Sequence, residues 1–130
     1  IIRLCDWFGV NHLVCSSDTV DCYNSKVIQS SMGSIARVKC VYMSNLHEYL
    51  KSLNKPIFGT CLEGFSVYEK KLPLKATYVF GNESKGISPS INKILNQKLT
   101  IPKQSSTNDV NSLNVATAAA IFLSEIFRKT

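Results

Sequence analysis

Ala76-Thr77-Tyr78-Val79-Phe80 runs into Gly81-Asn82-Glu83-Ser84-Lys85-Gly86-Ile87 and then into Ser88-Pro89. The first five residues are apolar and rich in β-formers, which predicts a buried strand. Ser88 suits a helix N-cap, and Pro89 the first helical position, where a missing N–H costs nothing. A glycine-flanked loop thus leaves the carboxyl end of a strand and opens a helix. In α/β sheets that edge is where ligands bind, because exposed backbone N–H groups can meet a polar ligand with no side chain between. The spacing Gly81-x-x-x-x-Gly86 fits a phosphate loop, but Ile87 stands where the phosphate-binding lysine belongs. Lys85 comes two residues too early to replace it, and Glu83 repels a triphosphate. The stretch is therefore a ligand loop of another kind, or a structural turn.

Outward from it, strand and helix signals alternate. Ile1 to Phe8 has apolar residues at 1, 4, 5 and 8, a helical period that Gly9 can cap. His12–Cys15 reads as a strand. A polar link follows, and Asn24 caps a short helix, Ser25–Met32, with Val27, Ile28 and Met32 inward. Val38–Met43 is β-rich, and Ser44-Asn45 cap a helix through Leu53 with Leu46, Tyr49, Leu50 and Leu53 on one face. Ile57–Thr60 is a strand, with a loop through Pro73 that holds a short edge strand near Phe65-Ser66-Val67. Beyond the central loop, Ser88–Leu95 is a short helix and Lys98–Ile101 a strand stopped by Pro102. Lys103–Asn111 is a polar loop. Ser112 is expected to cap a helix over Leu113–Phe127, with Leu113, Ala116, Ala120, Leu123 and Phe127 as one stripe and Ala119 and Ile126 beside it. Arg128 and Lys129 suit that helix's carboxyl-terminal dipole. The alternation implies α/β architecture, a parallel sheet of about five strands covered by helices.

The 130 residues suffice for one domain with a real core. No apolar run approaches the ~18–20 residues of a membrane span. Fifteen Lys and Arg against nine Asp and Glu give a net charge of +6, a balance suited to a polyanionic partner. The basic residues are dispersed, and only Lys70, Lys71 and Lys75 cluster locally, so charge permits RNA without proving it. Cys5, Cys15, Cys22, Cys40 and Cys61 contain no C-x-x-C pair, and neither His12 nor His47 has metal-ligand spacing to a cysteine. Free thiols in a reducing cytoplasm, and no metal site, are the expectation. The chain begins at Ile1, without methionine or a signal-peptide pattern, which reads as a piece of a longer protein.

Two strand-to-helix loops now stand together: Phe80-Gly81-Asn82-Glu83-Ser84-Lys85-Gly86-Ile87, and Ile101-Pro102 followed by Ser112-Leu113-Asn114-Val115-Ala116. With Ile1-Ile2-Arg3 they resemble the three motifs of the SpoU (TrmH-type) RNA 2′-O-ribose methyltransferases of the SPOUT superfamily. Ser30-Ser31-Met32-Gly33 resembles a further recurrent segment of that family. The resemblance implies a single domain over residues 1–130, with the upstream asparagine of the first motif outside this chain. It implies a carboxyl-terminal trefoil knot, which ordinary topology rules nearly forbid and periodicity cannot reveal. It implies S-adenosylmethionine as cofactor, contacted through Thr60, Gly81, Asn82, Glu83, Gly86, Ile101, Leu113 and Asn114. It also implies an RNA substrate (tRNA or rRNA) and a homodimer in which an arginine of one subunit lies near the cofactor of the other. The loop Lys103–Asn111 departs from the family by being longer and lacking its glycine.

The chemistry implied is methyl transfer to a ribose 2′-hydroxyl, a weak acid that must lose its proton while attacking a methyl group on a sulfonium. The donor is already activated, so the protein supplies in-line positioning and help with the proton. By resemblance the catalytic set is Arg3, Glu83, Ser112 and Asn114. A guanidinium with a pKa above ~12 suits phosphate anchoring better than general-base duty. Glu83 orients Arg3 or a neighbouring donor, and Ser112 and Asn114 hold substrate and loop. Helix capping is the plain alternative for the last two. The competing function is a non-catalytic knotted RNA-binding or assembly module.

Overall fold

The computed structural model describes residues 1–107 and 109–129. Of the polar loop expected over Lys103–Asn111, Asn108 lies outside the described residues. The rest of that loop carries no regular secondary structure. The chain divides into two compact units, Ile1–Ser52 and Leu53–Thr130.

The first unit opens with α1 (Ile2–Trp7), which buries Ile2 and Cys5. Gly9, at φ +72°, ends it. The N–H of Val10 reaches back to Cys5 O (2.7 Å) and that of Gly9 to Asp6 O (3.2 Å). This pairing of the last carbonyls requires a left-handed residue, which glycine adopts without a Cβ penalty. β1 (His12–Ser16) and β2 (Lys39–Met43) form a parallel two-stranded sheet, His12 opposite Lys39 and Ser16 opposite Met43. Between them lie α2 (Ser25–Ser31) and a 3-10 turn (Ser34–Ala36). As expected, Asn24 caps α2, its side chain accepting from Lys26 N. The inward face differs, because Ser31 is buried whereas Ile28 and Met32 are exposed. Met32 sits past the helix in the left-handed region (φ 50°), which swings its side chain off the helical stripe. α3 (Leu46–Ser52) completes the unit with Leu50 buried. Asn45 Oδ1 accepts from Glu48 N (3.2 Å), the cap expected of it.

The core of this unit is Ile2, Cys5, Cys22 and Val38, with Val10, Leu13, Val27, Ile35 and Cys40 against it. All five cysteines are free, and burial pushes the Cys40 thiol up to about 11. A thiol raised in this way stays protonated near neutrality and acts as a small apolar filler. The Tyr42 hydroxyl ties down the link after β1, accepting from Cys22 N (2.8 Å) and donating to Val20 O (2.7 Å).

In the second unit β3 (Ile57–Ser66), β4 (Thr77–Phe80) and β5 (Gln97–Thr100) form a parallel sheet in the order β4-β3-β5. Ile57 pairs with Thr77 and Thr60 with Phe80 on one side, and Phe58 with Gln97 on the other. Strand pairing is thus parallel within each unit, and the strands of the described residues form two sheets, one per unit, instead of a single one. β3 also runs further than the sequence pattern suggests. Thr60 and Phe65 both face Leu99, so residues 61–64 bulge out and the strand resumes at Phe65-Ser66. The expected edge strand is therefore the far end of β3. Gly64 permits the return, because a Cβ there would meet Lys98 O at 2.5 Å.

α4 (Pro89–Asn92) is shorter than expected, with Pro89 in its first turn and Ser88 at the N-cap position making no capping hydrogen bond. α5 (Val115–Phe127) is the unit's long helix. Its N-cap is Asn114, not Ser112: Asn114 Oδ1 accepts from Ala116 N (2.9 Å) and Thr117 N (3.3 Å). Its core face is Ala119, Phe122 and Ile126, while Phe127, assigned to the expected stripe, is exposed. Phe122 packs with Phe58, Val67, Leu72, Leu99 and Ile126, and meets the Phe80 ring edge-on at 5.7 Å. Burying a phenylalanine contributes about 1.5–3 kcal/mol, against ~1 kcal/mol for a cap. Packing therefore fixes where α5 lies, and Asn114 fixes where it begins.

Candidate active site

At the carboxyl edge of the three-stranded sheet, Thr60, Phe80 and Thr100 bring three connections to one rim. These are the 61–64 bulge, the loop from Gly81, and the segment from Ile101. Thr100 Oγ1 donates to Leu62 O at 2.9 Å, pinning the bulge to the end of β5. The chain steps from β3 to β4 on one side and then crosses to β5 on the other, the arrangement that leaves a crevice at the strand ends.

The loop after β4 is held by its own backbone. Asn82 N donates to Gly86 O (3.0 Å) and Gly86 N to Asn82 O (2.8 Å). Asn82 Oδ1 accepts three times, from Ser84 N (2.9 Å), Ser84 Oγ (2.8 Å) and Lys85 N (3.1 Å). Gly86 turns at φ +68°, and Gly81 lies so close that a Cβ would stand 2.5 Å from Gly86 C. The Asn82 amide oxygen thus shapes the loop. Ile87, where a phosphate loop would have lysine, reaches down over the middle of β3, where a Cβ on Gly59 would stand 3.0 Å from its Cδ1.

Glu83, exposed at the loop's tip, is joined to the start of α5: its Oε1 accepts from Asn114 Nδ2 at 3.2 Å. Asn114 is thereby oriented at both ends, oxygen to the helix N–H groups and NH₂ to the carboxylate. Ser112 and Leu113 precede the helix in exposed chain without regular secondary structure, with Leu113 47% exposed. Thr60, just before the 61–64 bulge of β3, and Ile101, just after β5, are half-buried.

Arg3 belongs to the first unit, exposed in the first turn of α1. It lines a groove with Asp6, Trp7, Met32, Ser34 and Arg37. Only Arg3 among these was singled out as a site residue. Trp7, one turn on, was legible as its i+4 neighbour. Asp6 Oδ2 gathers Ser34 Oγ (2.8 Å), Arg37 Nε (2.9 Å) and Arg37 Nη2 (2.7 Å). The Arg37 and Ser34 donors hold the Asp6 carboxyl below its ordinary range. A lowered folded value makes this contribution complete above the unfolded value of about 4, and it fades as pH falls through the folded one. The stability gap between the native protein and Asp6→Asn is thus expected to narrow below about pH 4. Urea midpoints across an acid series measure it; a gap unchanged down to about pH 2 would contradict it. Among the described residues, no group of three or more His, Cys, Asp or Glu is placed to hold a metal ion.

The profile of the SpoU rRNA Methylase family matches residues 1–124. The chain belongs to that family. The SpoU chain is 33% identical over 132 residues to the 23S rRNA (guanosine-2′-O-)-methyltransferase RlmB of Blochmanniella floridana, covering 98% of this chain and 51% of that protein. It is 30% identical over 128 residues to RlmP of Bacillus subtilis, a 23S rRNA guanosine 2′-O-methyltransferase, covering 95% and 50%. A TrmH-family structure from Porphyromonas gingivalis superposes with a TM-score of 0.84 at 39% identity, covering 96% of this chain and 51% of that one. The SpoU methyltransferase AviRb of Streptomyces viridochromogenes, solved with the cofactor AdoMet, gives 0.80 at 27%, covering 97% and 52%. The chain spans about half the length of the curated relatives it matches.

Proposed function

We propose that this chain is the methyltransferase domain of an S-adenosylmethionine-dependent enzyme that methylates a ribose 2′-hydroxyl of tRNA or rRNA. The observation that carries the reading is the Glu83–Asn114 hydrogen bond, which couples the Gly81–Gly86 loop to the start of α5 at the carboxyl rim of the sheet. Both residues lie in segments that resemble the family's second and third motifs. AdoMet in the related AviRb structure supports the choice of cofactor.

The residues present fit that cofactor. Gly81 leaves no room for a side chain against Gly86, so what the loop offers from that side is backbone. Exposed Leu113 and half-buried Ile101 offer apolar surface, and the Glu83 carboxylate offers a negative charge suited to a cation. Thr60, Gly81, Asn82, Glu83, Gly86, Ile101, Leu113 and Asn114 are the proposed binding set, with Asn82 acting by shaping the loop. The cofactor supplies a methyl group on a sulfonium, a leaving group that departs as a neutral thioether.

What the chain adds is position and proton handling. Asn114, fixed at both ends, holds Glu83 in one rotamer, and Ser112 offers a hydroxyl two positions before Asn114. Arg3 anchors the phosphate flanking the target ribose. We place Arg3 of one copy in the service of its partner's loops, which makes the active species a homodimer. The trefoil knot, the single domain over residues 1–130 and cytoplasmic residence belong to the same proposal; among the described residues no helix is long and apolar enough to cross a membrane. Incubation with methyl-labelled S-adenosylmethionine and bulk cellular RNA tests it. Label in RNA is the expected result; cofactor binding with no label would favour a non-catalytic RNA-binding module.

A further inference from the structure

The groove on the first unit has a composition that phosphate anchoring by Arg3 does not explain. Trp7, the chain's only tryptophan, is 84% exposed on α1, one turn after Arg3 and on the same face. Across the groove, Met32 is 69% exposed, presented by consecutive left-handed residues, Met32 (φ 50°) and Gly33 (φ 85°). A large indole and a thioether in water are costly to leave uncovered, and both have polarizable surfaces suited to a flat π-system. Around them stand Arg3 and Arg37. Asp6 occupies two of the five Arg37 N–H donors through Nε and Nη2 and fixes the guanidinium. Three donors remain without a protein acceptor among the described residues. The groove measures about 500 Å3, ample for a nucleotide.

We infer that this groove binds an unpaired nucleotide of the substrate RNA, its base stacked on Trp7 against Met32 and its phosphate held by Arg37. The inference rests on the methyltransferase reading for the identity of the RNA, and on the groove alone for the chemistry. Two arginines against one aspartate leave it positive, which favours a polyanion over a second copy of the same basic surface. An exposed aromatic beside cations is the stacking platform of proteins that hold single-stranded RNA, where hydrogen-bond readout is not needed. Asp6 and Ser34 are positioning residues here, acting through Arg37.

Trp7 reports on its own cover, so the test is its fluorescence. The full chain is titrated at low salt with a single-stranded oligoadenylate, with duplex RNA of equal length, and with heparin, which has charge but no bases. Oligoadenylate is expected to quench Trp7 strongly, and the other two to leave it nearly unchanged. Trp7→Ala should weaken oligoadenylate binding about tenfold, Trp7→Phe much less. Arg37→Ala should flatten the salt slope by about 0.7, one phosphate contact on a single strand. Equal quenching by heparin, or oligoadenylate binding by anisotropy without quenching, overturns the inference. So does emission that shifts blue with protein concentration alone, which places a second copy over Trp7. Methyl transfer surviving any of these leaves the enzyme reading intact, whereas quenching without methyl transfer removes that reading and keeps the groove.

Discussion

Glu83→Ala is expected to lower methyl transfer by about a hundredfold or more while leaving the fold intact. The stability half of this follows from exposure: Glu83 lies at a loop tip, and its one side-chain hydrogen bond among the described residues, from Asn114 Nδ2, is on the surface. Losing such a contact costs about 0.5 kcal/mol. The activity half follows from the proposed mechanism, in which the same contact couples two loops whose relative placement sets the reaction path. Asn114 allows the two effects to be separated. Asn114→Asp keeps an oxygen for Ala116 N and Thr117 N, so α5 stays capped. It replaces the NH₂ that faces Glu83 with a second carboxylate, so activity should fall while the melting temperature holds. Asn114→Ala should lose activity and also about 0.5–2 kcal/mol of stability. Near-normal turnover of Glu83→Ala or Asn114→Asp would remove that contact from the mechanism.

Gly81→Ala should have a large structural effect on the loop after β4. Its Cβ would stand 2.5 Å from Gly86 C and 2.7 Å from Ile87 N, both backbone atoms of a loop closed by two hydrogen bonds. No side-chain rotation relieves such a clash, so the loop must move. A cost of about 1–3 kcal/mol is expected, with loss of S-adenosylmethionine binding. Gly86→Ala makes the contrast, because nothing lies within 4 Å of its Cβ and its penalty is only that of φ +68°. Calorimetric cofactor titration and thermal melts of the two variants measure this. Wild-type cofactor affinity in Gly81→Ala would mean that the loop does not shape the cofactor site.

Most local elements were legible because they depend on local chemistry. Asn24, Asn45 and Gly9 mark helix ends through their own hydrogen bonds or φ angles. The errors arise where two residues compete or where pairing is distant. Ser112 and Asn114 are both competent caps, and apolar Leu113 made the earlier one look like the start; Leu113 is in fact exposed ahead of the helix. That displacement also misassigned the α5 stripe, which runs through Ala119, Phe122 and Ile126. α2 is too short for apolar spacing to choose its buried face, and the left-handed Met32 turned out of it. The 61–64 bulge interrupts the alternation of β3, so its far end looked separate. Division of the strands into two sheets depends on partners far apart in sequence, which periodicity does not encode. The loop from Gly81 was recognised from its residues alone, but the Glu83–Asn114 contact spans 31 positions and required coordinates.

The central claim is transfer of a methyl group to a ribose oxygen, and alkaline hydrolysis of the methyl-labelled RNA tests it most directly. Alkali cleaves RNA through the free 2′-hydroxyl, so a nucleotide methylated there protects its own 3′ linkage. The account predicts label in alkali-resistant dinucleotides. Label confined to mononucleotides would place the methyl group on a base and contradict it.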